Sequence, residues 1–192
     1  RVRLHTNEMQ NILNLRFGTL TILVLLAAFS RLMPHIPNVT PIAAMALFGG
    51  AYFANRRTAF LVPLVAMLLS DIVMRFTAGY ELFTSMRVIL YGTFAAITLI
   101  GLQLRGRFNG PKTLIASLVA SVFFFITTNF AVWALGQGLV FPLTIQGLLA
   151  CYEVAIPFFR NTLFGDLMFV AVLFGGFELA QYKFPVLSRV NR

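Results

Sequence analysis

The stretch PKTLIASLVASVFFFITTNFAVWAL, residues 111–135, holds one charged side chain, Lys112, in 25 positions. A helix that crosses the hydrocarbon core of a bilayer needs about 20 predominantly apolar residues. This stretch meets that length. Pro111 opens it at a first-turn position, where a missing N–H costs no helix hydrogen bond. The solvent for this segment is lipid, and the rest of the chain agrees. Of the 192 residues, 59% are hydrophobic and 11% charged, and mean hydropathy is +0.85. A soluble domain carries about 25% charged residues, and a globule of this size has too little interior for so much apolar surface. The composition also excludes disorder, collagen, coiled coil and a disulfide scaffold. The single cysteine, Cys151, forms no intramolecular disulfide and reads as a small apolar residue.

Working outward, five further apolar runs lie near residues 15–33, 40–55, 58–76, 87–104 and 157–181. The expected fold is an all-α membrane protein of six spans. Residues 1–14 form a polar N-terminal tail, 15–182 one transmembrane domain, and 183–192 a basic C-terminal tail. Pro41 and Pro157 mark helix starts, and Pro63 kinks the third span. Residues 142–156 (PLTIQGLLACYEVAI) are apolar but short. A run of that length reads as an extra interfacial or re-entrant helix between spans 5 and 6; a seventh crossing is the alternative. Basic residues mark cytoplasmic loops. With the N-terminus inside and six crossings, 11 of the 15 basic residues fall inside and four outside. Both termini are therefore expected in the cytoplasm. The net charge of +9 reflects this asymmetry, and no nucleic-acid partner is expected. Residues 1–30, ending in Ala28-Phe29-Ser30, loosely match a signal peptide; an uncleaved first helix is the preferred reading.

Polar side chains are distributed unevenly in depth. Asp71 and Arg75 lie near the outer end of the third span, spaced i,i+4 as an ion pair would be. Asn129 and Trp133 lie near the outer end of the fifth. The fourth begins with Arg87 and Tyr91, and the sixth with Arg160, Asn161, Thr162 and Asp166. The inner halves are almost wholly apolar. A through-pore would be polar along its length; this pattern predicts a cup open to the outside over an apolar floor. Asp71, Arg75, Tyr80, Tyr91, Asn129, Trp133, Tyr152, Arg160, Asn161 and Asp166 are the candidate ligand-binding residues. His35, Asn38, Thr40 and Glu153 sit on two candidate lids, residues 33–40 and 136–156. An interfacial aromatic belt and a satisfied Asp71–Arg75 pair are the structural alternatives for these residues. Ala46, Gly50 and Ala54 repeat every four positions, a spacing that lets helices approach closely in lipid. Internal packing and docking of a partner subunit both fit them.

Several chemistries are missing. GRFNGPKT at 106–113 has Pro111 where a phosphate loop needs glycine before its lysine, and no strand precedes it. HExxH, GxSxG and CxxC patterns are absent. No catalytic activity, cofactor or bound metal is expected.

The stretches TPIAAMALFGGAYF (40–53), PLVAMLLSD (63–71), GY (79–80), NFAVW (129–133) and CYEVAIPFFRNTLFGD (151–166) are similar to an uncharacterised bacterial family of proposed transport proteins. With six short spans and an outward polar cup, the chain resembles the substrate-capture (S) components of energy-coupling factor transporters, over about residues 15–182. That resemblance implies a vitamin-like ligand bound near the outer face of a bacterial cytoplasmic membrane. It also implies two kinds of partner, a transmembrane coupling subunit and cytoplasmic ATPases. S components often dock through an alanine-xxx-alanine face on the first helix. Here Ala27 and Ala28 are followed four positions on by Arg31 and Leu32, so the Ala46-Gly50-Ala54 face is the candidate substitute. The expected function is membrane-embedded capture of a small organic micronutrient. Arg75 or Arg160 would meet acidic groups, Asp71 and Asp166 N–H groups, and Trp133 a planar ring. A stand-alone carrier and a structural or assembly subunit are the alternatives.

Overall fold

The computed structural model describes residues 2–33, 37–106 and 108–188, with the side chains of 2–13 outside the description. Every regular element among these residues is helical. In chain order they are α1 (Val2–Ser30), α2 (Ile42–Tyr52), α3 (Arg56–Ala78), α4 (Ser85–Leu102), α5 (Gly110–Leu135), α6 (Ile145–Val170) and α7 (Gly176–Lys183). Local chemistry explains most of the starts. Asn55, Thr84, Asn109 and Thr144 each accept a backbone N–H in the first turn of the helix that follows, satisfying one of its orphan donors. Gly79, in the left-handed region at φ 70°, ends α3 where a side chain would be strained.

Four helices are long and apolar enough to cross a membrane: α3, α4, α5 and the rod made by α6 and α7, which runs 39 residues from Ile145 to Lys183. A π-helical turn at Ala171–Gly175 joins its two parts. The outward faces of these helices are leucine, isoleucine, valine and phenylalanine: Leu61, Val65, Leu68, Ile115, Val119 and Phe164 are all exposed. Such surface is stable against acyl chains and costly against water.

α2 differs from the second span expected over 40–55. It has 11 residues, all of them buried, and at 1.5 Å per residue it is only about 16 Å long. It forms the centre of the bundle, where Leu47 and Phe48 pack with Phe94, Ile97, Phe174 and Phe177. Two glycines let α2 and α4 touch backbone to backbone. A Cβ on Gly50 would lie 2.5 Å from the Thr98 carbonyl oxygen and 2.7 Å from Gly101 C; one on Gly101 would lie 2.5 Å from the Leu47 oxygen. The small-residue face is therefore consumed internally. Ala46 and Gly50 are buried, and Ala54 is exposed on the turn beyond the helix, so these three residues do not form a docking surface on the protein's exterior.

Arginines close the far end of α2. Arg105 donates to the carbonyls of Gly50 (3.1 Å) and Phe53 (2.9 Å). Arg16 donates to the Tyr52 and Leu187 carbonyls and to Gln181. Cations at this end complement both the unpaired carbonyls and the helix dipole. The Tyr52 hydroxyl donates to Glu178.

Three other expectations are corrected. Residues 142–156 do not make a separate short helix: from Ile145 they are the start of α6, which passes through Pro157 without interruption. The backbone of residues 2–14 continues α1 rather than forming a detached tail. The segment after Lys183 folds back through a 3-10 turn at Pro185–Leu187, burying Leu187; residues 189–192 lie outside the description.

Candidate functional site

The start of α4, the middle of α6, the end of α5 and the 37–41 segment converge at one end of the bundle. Between them lies a cup of about 320 Å³, the lower end of the size range of small-molecule sites. One side is the 37–41 segment, with Asn38, Thr40 and the first residue of α2, Ile42. Met86 and Leu90 of α4 form a second side. Phe124, Phe125, Thr128, Asn129 and Val132 come from α5, and Ala155, Phe158, Phe159 and Thr162 from α6. Phe125 and Phe159 pack tilted at 4.6 Å between ring centroids, making an aromatic corner.

The polar groups in the cup are amides and hydroxyls, with no ionisable side chain among those that line it. Asn129 donates one amide N–H to the Phe125 carbonyl at 2.8 Å, and its oxygen makes no bond among the described residues. Thr128 donates to Phe124 O and Thr162 to Phe158 O; both hydroxyl oxygens keep acceptor capacity. α2 begins at the cup with Pro41 at its N-cap and no side-chain cap, so its first-turn N–H groups add partial positive charge there. Asn38 adopts φ 67°, a conformation asparagine tolerates better than most side chains. The segment is held by Asn161, whose amide donates to the Pro37 carbonyl at 3.1 Å.

Of the expected ligand-binding residues, the structure places Asn129 in the cup wall, together with the lid residues Asn38 and Thr40. The others stand elsewhere. Asp71 does not pair with Arg75. It is buried in a cluster with Arg31 (2.9 Å), Arg87 and the Tyr91 hydroxyl, which donates at 3.0 Å. Arg31 also donates to Ser70 Oγ at 2.7 Å. The i,i+4 spacing was a correct neighbour relation on the helix, but two arginines from other elements reach the buried carboxylate first. Arg75 is exposed, and among the described residues its side chain reaches the Tyr80 carbonyl at 3.5 Å.

Trp133 and Tyr152 serve the joint between α5 and α6. Trp133 Nε1 donates to the Pro142 carbonyl (2.9 Å) and the Tyr152 hydroxyl to the Ile126 carbonyl (2.8 Å). Arg160 and Glu153 are exposed. Asp166 is buried beneath the cup against Ser121. His35 lies outside the described residues.

A second, more open recess of about 340 Å³ adjoins the cup across Met86 and Leu90, and it does hold charge: Arg31, Arg87 and Glu81, with Tyr80 and Thr84. The Arg87 guanidinium lies over the Tyr80 ring at 5.6 Å. The apolar lining of the cup, Met86, Leu90, Phe124, Phe125, Phe158 and Phe159, was not singled out from the sequence. In a chain with 21 phenylalanines, a ring that faces a cavity and one that faces lipid look alike.

Over residues 11–187 the sequence matches the profile described as "Family of unknown function (DUF6580)". No curated protein and no solved structure matches the chain.

Proposed function

The chain belongs to that family of unknown function, and with this as premise we propose that it is a membrane-embedded binding subunit. It captures a small, flat, largely uncharged organic molecule at the outer face of a bacterial cytoplasmic membrane. In this reading the chain passes through the bilayer six times, with α2 as a half-length pass, and both termini are cytoplasmic. Eleven of 15 basic residues then face the cytoplasm, as the positive-inside rule requires. Separate transmembrane coupling and ATPase subunits supply the energy, as the resemblance to S components implies.

The observation that carries the reading is the cup itself. It is a mixed amide, hydroxyl and aromatic concavity at the polar end of the bundle, above a centre filled by the wholly buried α2. A filled centre suits binding and release on one side better than free conduction. The phenylalanine corner suits a planar ring. Asn129, Thr128 and Thr162 suit its hydrogen-bonding edge.

The test is a thermal-shift screen of the purified protein with vitamins and nucleobase-like compounds, followed by calorimetry of the best compound. Asn129→Ala and Thr128→Phe are expected to weaken its binding tenfold or more, the first by removing the free amide oxygen and the second by filling the cup. Equal affinity for wild type and both variants would refute the assignment. Transport by the protein alone in liposomes, without ATPases, would favour the stand-alone carrier.

A further inference from the structure

One buried acid takes no part in the cup. Asp166 of α6 is 3% exposed and forms no ion pair among the described residues. Its one hydrogen-bond partner there is Ser121 of α5, at 2.7 Å between Oγ and Oδ2. The same Ser121 Oγ lies 3.0 Å from the Ser117 carbonyl oxygen. A serine hydroxyl has one hydrogen and cannot donate to both. Both contacts are satisfied together when Asp166 carries a proton: the acid O–H donates to Ser121 Oγ, and Ser121 O–H donates to Ser117 O. One turn further from the cup, Ser117 Oγ is buried without a partner among the described residues.

Among the described residues the surroundings supply no compensating charge. α5 carries one charged residue, Lys112, exposed and turned to the Gln103 carbonyl. α2 has no charged residue; its Tyr52, at the far end, is bonded to Glu178. On α6 itself the ionisable residues are Cys151, Tyr152, Glu153 and Arg160, all on the earlier turns. The π-helical turn after α6 has none. An isolated ionised carboxylate is expensive at such a place, and ionisable groups within membrane bundles mark functional sites by default.

The position links this acid to the cup. Thr162, which lines the cup, precedes Asp166 by four residues, one helical turn or about 6 Å. Thr128 of the cup and Ser121 are separated by seven residues, two turns on the same face of α5. Gly165, beside the acid, packs so closely on the 37–41 segment that a Cβ there would lie 3.0 Å from Val39 Cα. A column of hydroxyls and one carboxyl thus descends from the cup floor.

We propose that Asp166 is a proton-binding site beneath the cup, coupled to the cup's occupancy through Thr162, Gly165 and the 37–41 segment. The chemistry is the binding and release of one proton at Oδ2, with Ser121 Oγ as acceptor of the acid hydrogen. Only the coupling rests on the capture reading; the proton site stands without it.

Infrared spectra of the purified protein in lipid nanodiscs test it. At neutral pH the wild type is expected to show the C=O stretch of a protonated carboxyl. Asp166→Asn abolishes the band, and Ser121→Ala, which keeps the acid, shifts its frequency. A wild-type spectrum without a band that Asp166→Asn removes would overturn the proton site. So would loss of the band when sodium chloride replaces choline chloride, because a metal cation would then occupy the acid. For the coupling, Thr162→Cys in a Cys151→Ser background is plugged with methyl methanethiosulfonate. The plug is expected to shift the pH at which the band disappears, and an unmoved midpoint would overturn the link to the cup. These readouts need no transported ligand, so a failed ligand screen leaves them informative.

Discussion

Gly50→Ala adds one methyl group at the place where α2 and α4 approach most closely. The new carbon would stand 2.5 Å from the Thr98 oxygen and 2.7 Å from Gly101 C and Leu102 N. All three atoms are backbone, so no side chain can rotate away. A carbon–oxygen contact relaxes to roughly 3.5 Å, which requires the helices to part by about 1 Å. A gap of that size forfeits about a quarter to a half of the dispersion energy across the interface, here the packing of Leu47 and Phe48 on Phe94 and Ile97. Overpacking a well-filled core costs about 1–3 kcal/mol, and an immovable neighbour places Gly50→Ala at the upper end, about 3 kcal/mol. That is roughly a hundredfold in the folding equilibrium.

The control lies on the helix that α2 packs against. A Cβ on Gly92 of α4 meets nothing within 4 Å, so Gly92→Ala is expected to stabilise by about 0.5–1 kcal/mol through the lower backbone entropy of alanine. Denaturant titration of both variants in the same detergent, followed by circular dichroism, measures the difference. Equal stability of Gly50→Ala and Gly92→Ala would show that α2 and α4 do not meet as described.

Other substitutions separate competing accounts of single residues. Asp71→Asn leaves the half-buried Arg31 and Arg87 without their carboxylate and is expected to cost about 1.5–3 kcal/mol, whereas Arg75→Ala should change stability by less than about 0.5 kcal/mol; similar losses in the same titration would restore the Asp71–Arg75 pair. Arg105→Met removes the donors to the Gly50 and Phe53 carbonyls and is expected to cost about 1–3 kcal/mol, read as faster amide exchange at the end of α2; unchanged exchange would refute the cap. Trp133→Phe deletes the bond to Pro142, costing about 1 kcal/mol with no change in ligand affinity. A large affinity loss there would put Trp133 back in the site.

The four long apolar helices and the polar end were legible because hydropathy acts along the sequence. The apolar run at 111–135 needs no partner to be recognised, and the helix found there begins one residue earlier, at Gly110. The grouping of Asp71, Arg87 and Tyr91 near one end was equally visible, since each lies near the terminus of its own helix. What escaped depends on which helix stands beside which. The Asp71 cluster draws Arg31 from 40 positions away, a relation that no periodicity encodes. The 40–55 run was expected as a full span with a small-residue face free for packing or docking, because alanine and glycine serve a short, wholly buried helix equally well. Residues 142–156 were assigned apart from the sixth span because Pro157 looked like a start. The continuing α6 absorbs that proline more than three turns in; prolines inside helices are tolerated more readily in membrane bundles than in water.

The enclosure of α2 has a consequence for how the protein tolerates change. The long helices each have an outer side where leucine, valine and isoleucine can be exchanged freely, because acyl chains adapt to any of them. The 11 residues of α2 have no such side. Every replacement there is judged by packed neighbours, so a saturation mutagenesis map should show α2 as an unbroken band of intolerance, while α3 and α5 alternate with the helical repeat. Natural variation among homologues should then concentrate on the outer surfaces and leave this innermost segment nearly fixed.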